Sequence, residues 1–310
     1  MMVSLQARLL NAAFRFFMKR HGDKPIDIAR LRSTTRRPPR SALRVPDGYR
    51  VDELRTPNQL RFDLADRAEP RSQPPAAIVL YMHGGGYFTC SAKTHRPIIV
   101  AMAKAFDAPA YGLDYRLAPE HPFPAAVEDA TSAYRWLVEK HPNARIVVAG
   151  DSAGGGLALA TALAARDAGM PPARAIVGFS PWTDLAVTGA SIEANAKSCA
   201  MLTPKGIRAG ATLYLAGADP RDPRASPLYA NLSGLPPMLL FASRHETLLD
   251  DTVRFAERAS AAGVDVEVVL RDSLPHAWPL FSRFLPEARE ALEVVTDFAR
   301  RVAAVPSTAA

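Results

Sequence analysis

A serine between two glycines stands where the chain could perform covalent chemistry. Residues 150–154 read GDSAG, which fits the pattern G-x-S-x-G around Ser152. The apolar run 145–149 precedes it and an alanine- and leucine-rich stretch follows it, so a strand, a sharp turn and a helix are expected in that order. Such a turn projects the hydroxyl into the site, and the helix N-terminus directs free N–H groups towards it. Ser152 is therefore the predicted nucleophile.

A serine nucleophile needs a general base, and a histidine is the usual partner. In proteins that carry the nucleophile on a strand–turn–helix, the chain order is serine, acid, histidine. Of the seven histidines, only His245 and His276 follow Ser152. We predict His276 to be the base, because it follows a strand expected at 264–270, whereas His245 stands where the acid should lie.

The acid that orients the imidazole should come between the serine and the histidine, just beyond a strand. Glu246 fits best, since it lies four residues after the apolar run 237–242. Three other carboxyl groups fit less well and stay open as alternatives. They are Asp184, which follows an earlier strand, and Asp250 and Asp251, which stand where the next helix should begin.

A triple glycine at 84–86 offers the amide donors that acyl transfer requires. The reaction develops negative charge on a carbonyl oxygen, and preorganised N–H groups stabilise that charge. The sequence HGGG follows the apolar run 76–82, and glycine lets the backbone turn its amides inward without an obstructing side chain. We predict that the amides of Gly85, Gly86 and Ala153 form this oxyanion hole.

Two polar residues beside these motifs are expected to have structural roles. Asp151 adjoins the serine, but neighbours on a tight turn point apart, so we predict that Asp151 holds the turn or faces the helix N-terminus. His83 precedes the glycines and lies in the wrong chain order to be the base. A hydrogen bond within its own loop is the expected role of His83.

Short apolar runs alternate with amphipathic stretches along most of the chain. This alternation predicts an α/β fold with a mostly parallel sheet and helices on both of its faces. Residues 49–54 and 60–64 are expected to be antiparallel strands at one edge. The other strands are expected at 76–82, 109–115, 145–149, 175–179, 237–242 and 264–270, and the helices at 98–106, 125–140, 153–168, 248–262 and 287–303.

The pattern predicts one folded unit with two additions to its core. Residues 48–184 and 226–310 are expected to form the α/β core, because the alternation runs through both. It is lost at 185–225, which we interpret as a cap insertion between two core strands. Together with an N-terminal cap segment, residues 1–47, this insertion should cover the carboxyl edge of the sheet, where substrate selection usually takes place.

Charge and composition exclude several classes of protein. The chain has 310 residues, of which 48% are hydrophobic, so it is globular and not disordered. Its formal net charge is +7, and six arginines lie between 30 and 44. No aromatic residues interleave with these arginines and no nucleic-acid motif is present, so no nucleic-acid partner is expected. We interpret this stretch as a solvated loop stiffened by Pro38 and Pro39.

The first twenty residues place apolar side chains on a helical stripe. Arg8 and Arg15 interrupt the apolar stretch, so a secretory signal is not expected, and a helix docked on its own protein is favoured over a membrane-surface helix. No window contains 18 uncharged apolar residues, which predicts no stable membrane anchor. With only Cys90 and Cys199, free thiols and a cytoplasmic location are expected.

Four tracts together resemble the hormone-sensitive-lipase-like family of bacterial carboxylesterases. They are HGGGY at 83–87, DYRLAPEHPFPAAVEDA at 114–130, GDSAGGG at 150–156 and the tract from Glu246 to His276. The resemblance extends over about residues 75–300. It implies an α/β-hydrolase fold with a helical cap, a small-molecule ester as substrate, no cofactor, no metal and a possible homodimer.

The resemblance also bears on individual residues. In the family the acid lies thirty residues before the histidine, as Glu246 does here, although this chain reads Glu-Thr-Leu at 246–248 where many members read Asp-Pro-Leu. The resemblance further implies that Arg116, Glu120 and Asp129 brace the site without taking part in the chemistry.

The expected activity is hydrolysis of short to medium acyl esters by a Ser-His-Glu triad through an acyl-enzyme. The alternatives are a lactone hydrolase of the monoterpene-lactone type, or an amidase, with the same triad. A non-catalytic ligand receptor of the same fold is a third alternative, although plant receptors of this kind lack the histidine. Large side chains that would either line the pocket or fill the core are Tyr87, Trp182, Leu202, Tyr214, Trp278 and Phe281.

Overall fold

Eight strands form one central sheet in the computed structural model, which describes residues 3–19, 24–35 and 43–304. Along the chain, β1 to β8 are Tyr49–Arg55, Arg61–Arg67, Ala77–Met82, Ala110–Leu113, Arg145–Asp151, Ala175–Phe179, Met238–Ser243 and Val266–Arg271. Their spatial order is β1-β2-β4-β3-β5-β6-β7-β8. The β1–β2 and β2–β4 pairs are antiparallel and all later pairs are parallel, which confirms the mostly parallel sheet with an antiparallel edge.

Helices cover both faces of this sheet. They are α1 Leu5–Phe17, α2 Ile28–Thr35, α3 Arg96–Ala105, α4 Ala125–Lys140, α5 Ala153–Asp167, α6 Ser191–Ala194, α7 Pro204–Leu215, α8 Leu249–Ala261 and α9 Pro286–Ala304. Side chains of β3 alternate between two buried clusters: Leu80 packs with α4, α5 and α8, whereas Tyr81 packs with α3 and α9. Burial of both faces explains why the central strands read as continuous apolar runs.

The parallel register brings the loops of the site to one edge. Met82, the last residue of β3, pairs with Gly150 near the end of β5, and Ser243 at the end of β7 pairs with Arg271 at the end of β8. The carboxyl ends of parallel strands meet at the same edge of a sheet, where α/β folds build their sites. The triple glycine, the serine turn and the loops after β7 and β8 therefore lie together.

The expectation of a solvated loop at 30–44 is wrong for its first part. Residues 28–35 form α2, whose first turn is capped by the Asp27 carboxylate, which accepts a hydrogen bond of 2.9 Å from the Arg30 amide. Arg32 is not solvated, because it is hydrogen-bonded to the core. The rest of that prediction, including Pro38 and Pro39, falls within residues 36–42, outside the described part of the chain.

The two segments expected to cap the sheet contact one another. Arg15, in the last turn of α1, donates a hydrogen bond of 3.0 Å to the carbonyl of Ser198, and Lys19 donates bonds of 2.8 Å to the carbonyls of Lys197 and Cys199. Residues 197–199 lie between α6 and α7 in the predicted insertion. Within the ranges that the structure describes, no helix is long and apolar enough to cross a membrane.

Candidate active site

Ser152 occupies a strained position between β5 and α5. Its backbone angles are φ 53° and ψ −123°, a region that non-glycine residues rarely adopt. Two hydrogen bonds of 2.9 Å hold it there: the Ser152 amide donates to the carbonyl of Phe179, and the Trp182 amide donates to the carbonyl of Ser152. The side chain is half-buried. The sharp turn expected from the G-x-S-x-G motif is thus present.

The two glycines of that motif are required by close backbone contacts. A Cβ on Gly150 would lie 2.3 Å from the carbonyl oxygen of Gly154, and a Cβ on Gly154 would lie 2.2 Å from that of Met82. Neither distance can be accepted by a real side chain, and the blocking atoms belong to the backbone. Helix α5 can therefore begin directly against the end of β3 only because both positions lack a side chain.

Glu246 and His276 form a buried pair at the ends of β7 and β8. The His276 Nδ1 atom is hydrogen-bonded to Glu246 Oε2, and the two residues are 4% and 1% exposed. Glu246 Oε1 accepts hydrogen bonds of 2.8 Å from the Ser180 hydroxyl and the Ser243 amide. Both carboxylate oxygens are therefore occupied, and the orientation of the imidazole is fixed from the Nδ1 side.

The second nitrogen of His276 is available for chemistry. Its Nε2 atom is buried and makes no hydrogen bond to any described residue, Ser152 included. A buried polar atom without a partner is uncommon and calls for an explanation. A role in proton transfer would be such an explanation, and the Nδ1 contact with Glu246 leaves Nε2 as the ring nitrogen that could serve it.

The three alternative carboxyl groups are engaged elsewhere. Asp251 accepts hydrogen bonds of 2.8 and 2.9 Å from the amides of Thr183 and Asp184, and Asp250 accepts one of 2.9 Å from the Ser191 amide. Among the described contacts, none of the three touches the imidazole. Burial, followed by the charge of Asp184, raises the pKa of Asp251 well above its usual range.

Ser180 connects the acid and histidine loops and is a residue that sequence reasoning missed. Its hydroxyl donates to Glu246 and accepts a hydrogen bond of 3.0 Å from the amide of Ala277, next to His276. Ser180 is fully buried and has a φ of 50°. A serine directly after the predicted strand 175–179 was the available signal, because that position also lies at the carboxyl edge of the sheet.

The triple-glycine loop presents amides that are not used by the fold. The amides of Gly85, Gly86 and Ala153 donate no hydrogen bond to another described residue, whereas the Gly85 carbonyl accepts from Phe88 and Thr89 at 3.2 and 3.0 Å. Gly85 has a φ of 113°, and a Cβ there would lie 2.4 Å from the carbonyl oxygen of Thr89. The Gly85 carbonyl is therefore used by the turn that follows, whereas the three amides have no partner among the described residues.

Asp151 joins the serine turn to the triple-glycine loop. Its Oδ1 atom accepts hydrogen bonds of 2.8 Å from the Tyr81 hydroxyl and 3.0 Å from the Gly84 amide, and lies 3.4 Å from His95 Nε2. Burial alone would raise the pKa of Asp151, but His95 and Tyr81 outweigh it and lower that pKa. Burial likewise opposes the charge of His95, yet Asp151 raises the pKa of His95 overall. Asp151 thus connects the residue before Ser152 to the end of β3 and to the triple-glycine loop.

His83 has the structural role expected of it. Its Nδ1 atom is hydrogen-bonded to the carbonyl of Gly84 at 2.7 Å, and its ring stacks on Tyr115 with centroids 4.3 Å apart. Burial, followed by repulsion from His95, lowers the pKa of His83 to about 3. A neutral imidazole that is fully packed stabilises the loop and is not placed to exchange protons with Ser152.

The tract at 114–130 braces the site through ion pairs at the surface. Arg116 pairs with Asp129 at 2.9 Å, and Glu120 pairs with Arg32 of α2 at 2.7 Å. Arg32 also donates hydrogen bonds to the carbonyls of Phe88 and Ala118, at 2.9 and 2.7 Å. The tract therefore connects α2 to the triple-glycine loop.

The large side chains divide between core and site. Trp278 is fully buried against Phe241, with ring centroids 5.8 Å apart, and belongs to the core. Tyr87, which follows the triple glycine, stacks on Tyr214 of α7 at 3.8 Å. Trp182 is buried near Tyr87, whereas Leu202 and Phe281 are half-buried. The aromatic contact ties the predicted insertion to the loop beside the serine.

A mostly parallel sheet, a strained serine between β5 and α5 and a buried acid–histidine pair at the same edge define the class of the α/β hydrolases. A family model described as alpha/beta hydrolase fold matches residues 79–280. Among the described residues, no group of three or more His, Cys, Asp or Glu side chains is arranged to hold a metal ion.

Relatives narrow this class to one family. An acetyl-hydrolase from Streptomyces hygroscopicus is 44% identical over 72% of this chain and 75% of the relative, and the esterase LipI from Mycobacterium tuberculosis is 37% identical over 84% and 83%. A solved esterase of the bacterial hormone-sensitive lipase family is 36% identical, with a TM-score of 0.86 over 97% of this chain and 99% of that one. The chain belongs to the hormone-sensitive-lipase-like family of carboxylesterases.

Proposed function

We propose that this protein hydrolyses carboxylic esters with short to medium acyl chains through a triad of Ser152, His276 and Glu246. The observation that carries the proposal is the buried His276–Glu246 pair, whose Nε2 atom is unpartnered at the sheet edge where Ser152 stands. The relatives support the substrate class, since they include an acetyl-hydrolase and EstE5, whose solved structure was soaked with p-nitrophenyl butyrate. EstE5 is 36% identical to this chain, with a TM-score of 0.88.

The proposed first half-reaction forms an acyl-enzyme. His276 Nε2 accepts the proton of the Ser152 hydroxyl as the oxygen attacks the ester carbonyl, and Glu246 stabilises the imidazolium that forms. The alcohol then leaves with the proton from Nε2. In the second half, water takes the place of the alcohol and His276 activates it in the same way, which releases the acid. Catalytic hydrogen bonds of this kind often shorten only when substrate binds.

The negative charge of each tetrahedral intermediate is assigned to the amides of Gly85, Gly86 and Ala153. All three donors are free of other described partners and belong to the loops after β3 and β5. Asp151 supports this role indirectly, because it fixes the Gly84 amide and thus the entry to the loop. Donors that are held in place before the reaction need no reorganisation as the charge develops.

Substrate access is assigned to the two predicted cap segments, 1–47 and 185–225. Their mutual hydrogen bonds and the stacking of Tyr214 on Tyr87 support one cover above the carboxyl edge. Residues 48–184 and 226–310 then form the core of a single folded unit. A small-molecule ester would reach Ser152 beneath this cover, and the proposed steps use water together with the side chains and backbone amides named above.

The test is hydrolysis of p-nitrophenyl esters, from acetate to long-chain acyl groups, by the purified protein and by Ser152→Ala. Removal of the nucleophile should lower kcat by about 10⁴-fold or more. Ser233→Ala, at an exposed serine far from the strands' carboxyl edge, is the matched control and should keep full activity. The acyl chain that gives the highest kcat/KM measures the size of the acyl pocket.

Two results would contradict the proposal. One is full activity in Ser152→Ala, which would place the nucleophile elsewhere. The other is a wild-type protein that melts cooperatively yet hydrolyses no ester, which would favour a lactone hydrolase or a non-catalytic ligand receptor.

A further inference from the structure

Helix α1 exposes several of its large apolar side chains to solvent. Leu9 is 62% exposed and Phe17 is 71% exposed, and Leu5 and Phe16 are exposed to a similar degree. The residues that α1 buries are small or polar, namely Ala7 and Asn11. An apolar side chain gains little from folding when it stays in water, so packing on the described residues does not explain the exposure of Leu5, Leu9 and Phe17.

The orientation of α1 is fixed by specific contacts. The Asn11 side chain donates a hydrogen bond of 2.7 Å to the carbonyl of Ser273, and the Ser4 amide donates one of 2.7 Å to the carboxylate of Glu287 in α9. Phe14 packs on Phe281 with ring centroids 5.3 Å apart. The exposed face is therefore held outward and does not result from a loosely attached helix.

The segment that contains α1 carries all of the excess positive charge of the chain. Residues 1–47 hold eleven of the 38 Lys and Arg residues but only three of the 31 Asp and Glu residues, a formal charge of +8. The remaining residues together have a formal charge of −1. On α1 itself, Arg8 and Arg15 are exposed beside the apolar stripe, and the helix contains no acidic residue.

We propose that α1 binds the surface of a bilayer that contains anionic phospholipid. Leu5, Leu9 and Phe17 would enter the boundary between headgroups and acyl chains, and Arg8 and Arg15, which are exposed on the same helix, would contact the headgroups. An amphipathic helix with basic residues beside a face of leucine and phenylalanine binds membranes in this way. Each basic residue near an anionic surface adds to the attraction.

Charge favours a lipid surface over a second copy of the chain. A symmetric dimer brings the same patch of both subunits together, so pairing through α1 would place two strongly positive segments against each other. An anionic surface neutralises the same charge and covers the apolar face at the same time. The occupant that fits both features of the segment is therefore the anionic bilayer.

The proposal goes beyond ester hydrolysis and depends on no catalytic step. It has a consequence for access, because Ser273, to which Asn11 is bonded, lies three residues before His276. A helix docked on lipid would hold the loop of His276 close to the membrane surface. Esters dissolved in the bilayer would then be concentrated near the site.

The experiment is cosedimentation of the full chain with vesicles of phosphatidylcholine alone and of phosphatidylcholine mixed with phosphatidylglycerol, at low and high salt. The wild-type protein should bind the mixed vesicles, and high salt should weaken binding by screening the charges. Leu9→Ser should lower the partition coefficient by about tenfold, and Leu9→Ser with Phe17→Ser by about 50-fold or more. Gln6→Ser, on an exposed polar position of the same helix, should bind like the wild type.

Several outcomes would overturn the proposal. They are absence of binding to the mixed vesicles, equal binding by Leu9→Ser, and a vesicle-independent dimer that Leu9→Ser dissociates, which would assign the face to a second copy. Thermal melts of all variants should match that of the wild type, which shows that each variant is folded. The vesicle assay involves no hydrolysis, so a failure of lipid binding stays distinct from a failure of the proposed enzymatic function.

Discussion

At the residue scale, the two carboxylate oxygens of Glu246 have different hydrogen-bond partners and different roles. Oε2 holds His276 Nδ1, and Oε1 accepts two hydrogen bonds that fix the carboxylate itself. Removing the charge of the Glu246 carboxylate would weaken its contact with His276 and its two hydrogen bonds, because the surrounding donors keep their positions. The amide of glutamine has nearly the same shape, so a Glu246→Gln exchange tests the charge more than the packing.

We expect Glu246→Gln to lower kcat for p-nitrophenyl butyrate by about 10³–10⁴-fold, with little change in KM. The amide cannot stabilise the imidazolium, and it favours the wrong tautomer of His276, as in other triads of this kind. Steady-state kinetics together with a thermal melt measure both parts of the expectation. Asp250→Asn is the control, since the Asp250 carboxylate accepts a hydrogen bond of 2.9 Å from the Ser191 amide and no described contact joins it to His276, so this variant should retain activity within a few-fold.

At the element scale, α2 contacts the core chiefly through one side chain. Arg32 is largely buried and bonds to the carbonyls of Phe88 and Ala118 and to the Glu120 carboxylate. The hydrogen bond that Arg32 donates to the Glu120 carboxylate is the main cause that lowers the pKa of Glu120 to about 2. Glu120 is exposed, so the ion pair itself contributes little stability, whereas the two carbonyl contacts fix the chain next to the triple-glycine loop.

We expect Arg32→Ala to lower kcat/KM by about tenfold, because α2 and the chain at Phe88 lose their common attachment. Arg32→Lys should restore only part of this loss, since an ammonium group cannot reproduce the planar fork. Arg30→Ala, on an exposed position of the same helix, is the control. Equal kinetics for the two alanine variants would show that α2 has no influence on the site, and limited proteolysis of the N-terminal segment would report its detachment.

The strands and core helices follow from local pattern, but α2 does not. Residues 146–148 are apolar and β-branched, which favours a strand, and residues 153–167 are rich in alanine and leucine, which favours a helix. In α2 the helix depends on Asp27 as a cap and on partners of Arg32 that lie 56 to 88 residues away. A charged stretch without a wide apolar face gives no periodic signal, which is why it was interpreted as a loop.

The residues of the site could likewise be predicted from the sequence, but the contacts that hold them could not. Ser152, Glu246, His276 and the glycines stand in motifs with fixed spacing, and the positions of the loops follow from the parallel order of the strands. The contacts of Ser180 with Glu246 and of Asp151 with Tyr81 join residues 66 and 70 positions apart. Such contacts are set by side-chain direction and depth of burial, which a single sequence does not specify.

At the scale of the whole molecule, a second buried carboxyl network joins the end of β6 to α8. Asp251 accepts hydrogen bonds from two successive backbone amides, those of Thr183 and Asp184. Asp184 is itself buried, and it accepts from the Tyr229 hydroxyl at 2.9 Å and pairs with Arg254 at 3.2 Å. One cation thus faces two interior carboxyl groups, and the network stays neutral only while Asp251 keeps its proton.

This network makes the stability of the whole molecule depend on pH. Burial and the charge of Asp184 raise the pKa of Asp251 well above its usual range, whereas in the unfolded chain it should be about 3.9. A carboxyl group with a raised pKa in the fold contributes stability that is fully present below the unfolded pKa and is lost as pH rises towards the folded pKa. The contribution of Asp251 therefore declines from about pH 4 upward.

We expect Asp251→Asn to melt at the same temperature as the wild type near pH 4 and about 2–4 °C higher near pH 8. An amide keeps the oxygen that accepts from Thr183 and Asp184 but carries no charge to desolvate, so the difference should grow with pH. Thermal melts across this range measure it. Asp272→Asn, at an exposed carboxylate, should show no such trend. A lower melting temperature for Asp251→Asn near pH 8 would mean that the folded protein holds Asp251 ionised and that its charge stabilises the network.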